Sequence, residues 1–146
     1  MSFTYKYPRP ALTVDAVVFR NNCDKTEVLL IQRDRNPFEG MWALPGGFVE
    51  MDETLEQAVA RELKEETALA GINLKQLHAF SDVGRDPRGR TVSVTFYGVT
   101  DKSNSKLKGG DDARDARWFP LDDLPKLAFD HNEIIEMAWD RLCGKS

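Results

Sequence analysis

At 146 residues and 41% hydrophobic, the chain is sized for one domain around a single core, taken here as residues 1–146. Its formal charge of -4 argues against nucleic acid as the main partner, since a duplex binder needs a basic face, but leaves nucleotides open, because a divalent cation can bring phosphate to carboxylates. No apolar run approaches a membrane span, the first ten residues lack a signal-peptide core, and Cys23 and Cys143 fit no disulfide or zinc pattern, so a soluble cytoplasmic protein is expected.

Ala11–Phe19 and Glu27–Gln32 are rich in β-branched and aliphatic residues. Asn21, Asn22 and Asp24 between them supply turn chemistry, so the pair reads as a hairpin. Asp52–Thr67 reads as a helix whose acidic first turn suits the positive end of the helix dipole. Gln76–Ser81 is a weaker strand. Thr91–Val99 alternates Val92, Val94 and Phe96 against Thr91, Ser93 and Thr95, the pattern of a strand buried on one face. A second helix is expected from about Asn132 to Cys143, capped by Asp130 with Glu133 in the capping-box position and ended by Gly144. Its apolar stripe is Ile134, Ile135, Ala138 and Leu142. Strands interspersed with two helices predict an α/β or α+β sandwich in three layers.

The first helix carries the chemistry. At roughly 100° per residue, Leu55, Ala58, Val59 and Leu63 form one apolar face, while Gln57, Ala60, Arg61 and Lys64 lie on the wet side. Glu62 and Glu66 fall within the apolar face, and Glu65 lies at its margin. Like charges four residues apart repel, and buried anions are costly unless paired. No cation of this helix is expected on that face, so a divalent metal answers the requirement; Mg²⁺ takes oxygen ligands and keeps positions for water and phosphate. The plainer alternative is a solvated, charged helix end built from a good helix former.

Before the helix, Leu44-Pro45-Gly46-Gly47 is a turn whose glycines permit close backbone approach. Gly47, Glu53, Arg61, Glu62, Leu63, Glu65, Glu66 and Leu69 stand at intervals that resemble the signature box of the Nudix hydrolase family. Ala68 stands where that box has a helix-closing glycine, a change expected to cost about 1 kcal/mol without removing a ligand. The resemblance implies an α/β/α sandwich with a mixed central sheet. It implies that Glu62, Glu66, Glu65 and the Gly46 carbonyl hold Mg²⁺, with Mn²⁺ a substitute. Glu65 and Glu66 are then also candidates for the catalytic step, whereas Glu53 and Arg61 form a structural ion pair tying loop to helix. A further acid is expected in the loop before the last strand, with Asp112 the candidate and Asp111 beside it, unless both simply solvate that loop.

Gly84–Arg90 (GRDPRGR) is a basic loop whose arginines can bind phosphate bidentately or pair with Asp86. This segment, QRDRNPFEGMWALPGGFVE and LAFDHNEII resemble the ADP-ribose pyrophosphatase branch of the family. On that resemblance Arg33, Arg85, Arg88 and Arg90 are candidates for the diphosphate or terminal ribose. Phe38, Trp42 and Phe80 are candidates to stack on adenine, unless they are core packing. A nucleotide substrate, a homodimer and neither nucleic-acid nor membrane partners are implied. The alternatives are another Nudix substrate, such as a nucleoside triphosphate, NADH or a dinucleoside polyphosphate, and an ADP-ribose-sensing domain of a transcriptional regulator. The intact glutamates, and a chain with no room for a winged helix, weigh against the last.

Overall fold

The first strand, β1 (Ala11–Asn22), is buried on both faces, and its alternation sorts the two halves of the core. Val14, Ala16 and Val18 turn to one side and pack with Ala58, Val59 and Leu63 of the first helix. Val17 and Phe19 turn to the other and pack with Ile134, Ile135 and Ala138 of the second. A helix on each face of one sheet is the α/β/α sandwich the sequence predicts. A computed structural model describes residues 2–101, 107 and 113–144.

After β1 come β2 (Lys25–Arg33), β3 (Trp42–Ala43) and β4 (Gly46–Phe48), then α1 (Leu55–Thr67). β5 (Lys75–Phe80), β6 (Thr91–Val99), β7 (Ala113–Pro120) and α2 (His131–Leu142) complete the chain. The sheet runs β3-β2-β1-β6-β5, with β4 also paired to β1 and β7 to β2. β1 and β6 are parallel from Ala11↔Thr91 to Phe19↔Val99, whereas the other pairings are antiparallel, so the sheet is mixed. On its other edge β1 changes partner: Thr13–Asp15 pair with β4, and Phe19–Asn22 pair with β2. The site lies where this edge splits.

Three local features differ from the sequence reading. α1 starts later than Asp52, because Thr54 and Gln57 form a reciprocal capping box. Asp130, read as a side-chain cap of α2, makes no cap bond; its carboxylate is taken by Arg85. β6 is covered on both sides, and its hydroxyl face is the more buried: Thr91, Ser93 and Thr95 are buried, while Val92 and Val94 are half-buried. Ser93 hydrogen-bonds Thr13 directly across the β1–β6 pair.

α1 ends at Ala68, which adopts a left-handed conformation at φ 71° and donates its N–H to the Lys64 carbonyl at 2.9 Å. A Cβ makes that conformation costly, and glycine removes the cost. Ala68→Gly is expected to stabilise the protein by about 1 kcal/mol, raising the melting temperature by roughly 3 °C in calorimetry. An unchanged or lower melting temperature would show that the strain is relieved elsewhere.

Candidate active site

A cavity of about 380 Å³ opens beside the split edge of β1. α1 contributes Glu62 and Glu66; Glu66 is 5% exposed, and its Oε1 accepts the Gly46 N–H at 2.8 Å. Glu62 abuts Gly47 so closely that a Cβ there would lie 2.5 Å from its Oε1. The glycines of β4 fit because the Glu62 carboxylate occupies the space a Gly47 side chain would take, and the Val14 carbonyl with the Asp15 carboxylate occupies that of Gly46. Glu65 does not line the cavity; its side chain is 58% exposed and reaches Arg61 at 3.3 Å.

This donor set fits a hard divalent cation. Glu62 and Glu66 offer oxygen only, in one cavity, against a backbone with no intruding Cβ. Among the described residues no three His, Cys, Asp or Glu side chains converge as a ready-made cage. Mg²⁺ is commonly held by one or two carboxylates plus substrate phosphates, so two suffice.

Arg61 corrects the expectation that this helix directs no cation towards the glutamates. Its guanidinium donates to Glu53 Oε1 at 2.6 Å and Oε2 at 2.9 Å, and Nη1 donates to Glu62 Oε1 at 2.9 Å. Nη2 also reaches the Phe48 carbonyl at 3.2 Å. A helical-wheel projection misses this because arginine is long enough to reach round the helix. The bonds from Arg61 hold the Glu53 carboxyl down at about 2. Glu53 in turn accepts the Glu50 N–H, so a single hub ties the loop to α1.

The arginines divide by what holds them. Arg33, at the end of β2, and Arg88 line the cavity, whereas Arg90 does not. Arg88 is held by Asp86, which is 5% exposed and kept below the usual carboxylate range by its bonds to Arg88, despite burial. Arg85 borders the cavity but makes a two-bond pair with Asp130, at 2.8 and 2.6 Å, and donates to Ser93 Oγ at 2.8 Å. Its guanidinium serves the architecture first.

Trp42 and Phe80 do not line the cavity; both pack in the α2-side core, Trp42 edge-on to Phe119. Phe38 stands edge-on to Phe129. The aromatics at the cavity are Phe48 and Phe129, which the sequence reading missed. Asp111 and Asp112 lie outside the described residues.

Asp15 and His131 were also missed. Burial pushes the Asp15 carboxyl up to about 7, against the opposing charge of Arg85. Burial likewise pushes His131 down to about 3. The His131 Nδ1 accepts the Leu44 N–H at 3.0 Å, so a neutral ring carries its proton on Nε2, which faces Asp15 Oδ1 at 3.8 Å. The available signal was a lone carboxylate inside the apolar run ALTVDAVVF, where burial without a purpose is costly.

A family model described as a NUDIX domain matches residues 9–138. The chain belongs to the Nudix family. An ADP-ribose pyrophosphatase of Methanocaldococcus jannaschii is 48% identical over 135 residues, covering 91% of this chain and 76% of the relative. The ADPR-responsive transcriptional repressor NtrR of Acinetobacter baylyi is 34% identical, covering 96% of this chain and 57% of the repressor. The NUDIX domain of Shewanella oneidensis NrtR, solved in complex with ADP ribose, superposes with a TM-score of 0.87 at 40% identity, covering 93% of this chain and 90% of that one. This Nudix protein is a hydrolase of the family, and Nudix hydrolases use divalent metals. No helix among its described residues is long and apolar enough to cross a membrane.

Proposed function

We propose that this Nudix protein hydrolyses ADP-ribose to AMP and ribose 5-phosphate. The observation that carries the reading is one cavity that combines the Glu62 and Glu66 carboxylates with the guanidiniums of Arg33 and Arg88. The first pair suits a cation, the second an anion, and a diphosphate bridging them satisfies both. The 48% identity to an ADP-ribose pyrophosphatase supports the choice of substrate.

Glu62, Glu66 and the Gly46 carbonyl would hold Mg²⁺, with Mn²⁺ a substitute, and Glu65 is a candidate for a further ion. Such a cation neutralises phosphate charge and makes a water easier to deprotonate. Arg33 and Arg88 orient the diphosphate and balance the charge that builds on its oxygens. Glu65, Glu66 and Asp112 are the candidates to take the proton of the attacking water. Glu53 and Arg61 keep the loop and α1 in register. The same reading takes residues 1–146 as one domain, in a cytoplasmic homodimer, with a nucleotide as its small-molecule partner.

The test is ADP-ribose turnover by the full chain with Mg²⁺ and with chelator, following AMP and ribose 5-phosphate. Cation-dependent formation of both products is expected. A second reading, an ADP-ribose sensor, is favoured by the Shewanella complex. ADP-ribose binding without turnover would select it, and neither binding nor turnover would turn the search to other diphosphates.

A further inference from the structure

We infer that Phe129 is a positioning residue whose ring sets the guanidiniums of Arg33 and Arg88 side by side to receive the two phosphates of a diphosphate. The inference deepens the proposed function and rests on that reading of the cavity.

Phe129 is held in the left-handed region, at φ 54°. That conformation is unfavourable for a bulky aromatic, and it persists only where neighbours over-determine it. Here both flanks are fixed. The Ala128 N–H donates to the Trp42 carbonyl at 2.8 Å, Asp130 is gripped by Arg85, and His131 accepts the Leu44 N–H. The ring is wedged edge-on to Phe38 at 4.8 Å and lies 5.3 Å from the His131 ring.

Two cations meet on this ring. The Arg33 Cζ lies 5.1 Å and the Arg88 Cζ 5.2 Å from its centroid, both within cation–π reach. The base of each guanidinium is anchored elsewhere: Arg33 Nε donates to the Pro37 carbonyl at 2.8 Å, and Arg88 Nε bonds Asp86. Like charges sharing one ring repel, and Arg88 helps to depress the ionisation of Arg33 behind the main effect of burial. The face of Phe129 and the buried Asp86 compensate part of that repulsion. Two adjacent negative groups relieve the rest, which matches a diphosphate better than a single phosphate. Phe48, at 5.0 Å from Arg88 Cζ, supports only one of the two arginines, so the shared ring is Phe129.

The experiment titrates inorganic pyrophosphate with Mg²⁺ into the full chain by calorimetry. It compares wild type, Phe129→Leu, Phe129→Tyr and Arg88→Lys, with a melting temperature for each. Phe129→Leu keeps apolar bulk but loses the quadrupole, and is expected to weaken binding about tenfold, whereas Phe129→Tyr retains near-wild-type affinity. Arg88→Lys keeps the charge but loses the flat face over the ring, and a similar loss is expected. Wild-type affinity in Phe129→Leu, or equal losses in Leu and Tyr variants that melt normally, would overturn the inference. Should Phe129→Leu fail to fold, undiminished affinity in Arg88→Lys overturns it instead. The probe does not depend on turnover. A wild-type chain that binds pyrophosphate but spares ADP-ribose contradicts the substrate reading alone, and one that binds no pyrophosphate contradicts this inference.

Discussion

Glu66→Gln is expected to lower ADP-ribose hydrolysis by about a thousandfold while leaving the fold intact, the scale seen when one charge-stabilising group is removed from a preorganised site. Glutamine matches glutamate in size and keeps an oxygen able to accept the Gly46 N–H, now bonded at 2.8 Å. Only the negative charge is lost, and with it the reason to place a carboxylate at 5% exposure in a cavity. Initial rates of AMP release at saturating Mg²⁺, with melting temperatures, check this. A rate within tenfold of wild type would remove Glu66 from the ligand set. A melting temperature that rises while activity vanishes would be informative in another way, since it would mean that the carboxylate is held against a folding cost for the sake of the reaction.

Gly46→Ala is expected to destabilise the protein by roughly 3 kcal/mol or more, the range of overpacking that nothing nearby can absorb. A Cβ at Gly46 would overlap the Val14 carbonyl and the Asp15 carboxylate, and would lie 3.0 Å from the Asp15 Cα. These atoms belong to the central strand, which β6 holds along its other edge, so they cannot yield. Gly47→Ala is the control. The atoms nearest its Cβ are the far end of Glu62, within 2.5 to 2.9 Å, and a side chain can turn aside. Urea titration should therefore show a large drop in midpoint for Gly46→Ala and a small one for Gly47→Ala, the latter losing activity through displacement of Glu62. Equal midpoints for the two variants would contradict the geometry.

The layered fold and the carboxylate helix were legible because both are written locally. The β-branched and aliphatic run of β1 and the apolar repeat along α1 depend on residues a few positions apart. The capping box of Thr54 and Gln57 is equally local, although acidic residues just before it also suit a helix start. What stayed hidden depends on contacts remote in sequence. Asp130 has the look of a helix cap, but Arg85, 45 residues away, claims its carboxylate. Trp42 and Phe80 are no less aromatic than Phe129, but the pairing of Trp42 with Lys126, Leu127 and Ala128 brings Phe129 to the cavity, while Trp42 and Phe80 pack in the α2-side core. The hydroxyl face of β6 was underrated for the same reason. Polarity alternates in the sequence, whereas burial follows from having sheet on both edges and a layer on each side.

The chain separates its two binding tasks unequally along its length. The groups suited to a cation, from Gly46 to Glu66, come from β4 and the helix that follows it, braced internally by Arg61. The groups suited to an anion, Arg33, Arg88 and the Phe129 ring beneath them, come from β2, the arginine loop and the approach to α2, and meet only when the domain is complete. Substitution in that scattered set can change how an anion is held while the bracing of the carboxylate pair within its own short stretch of chain stays intact.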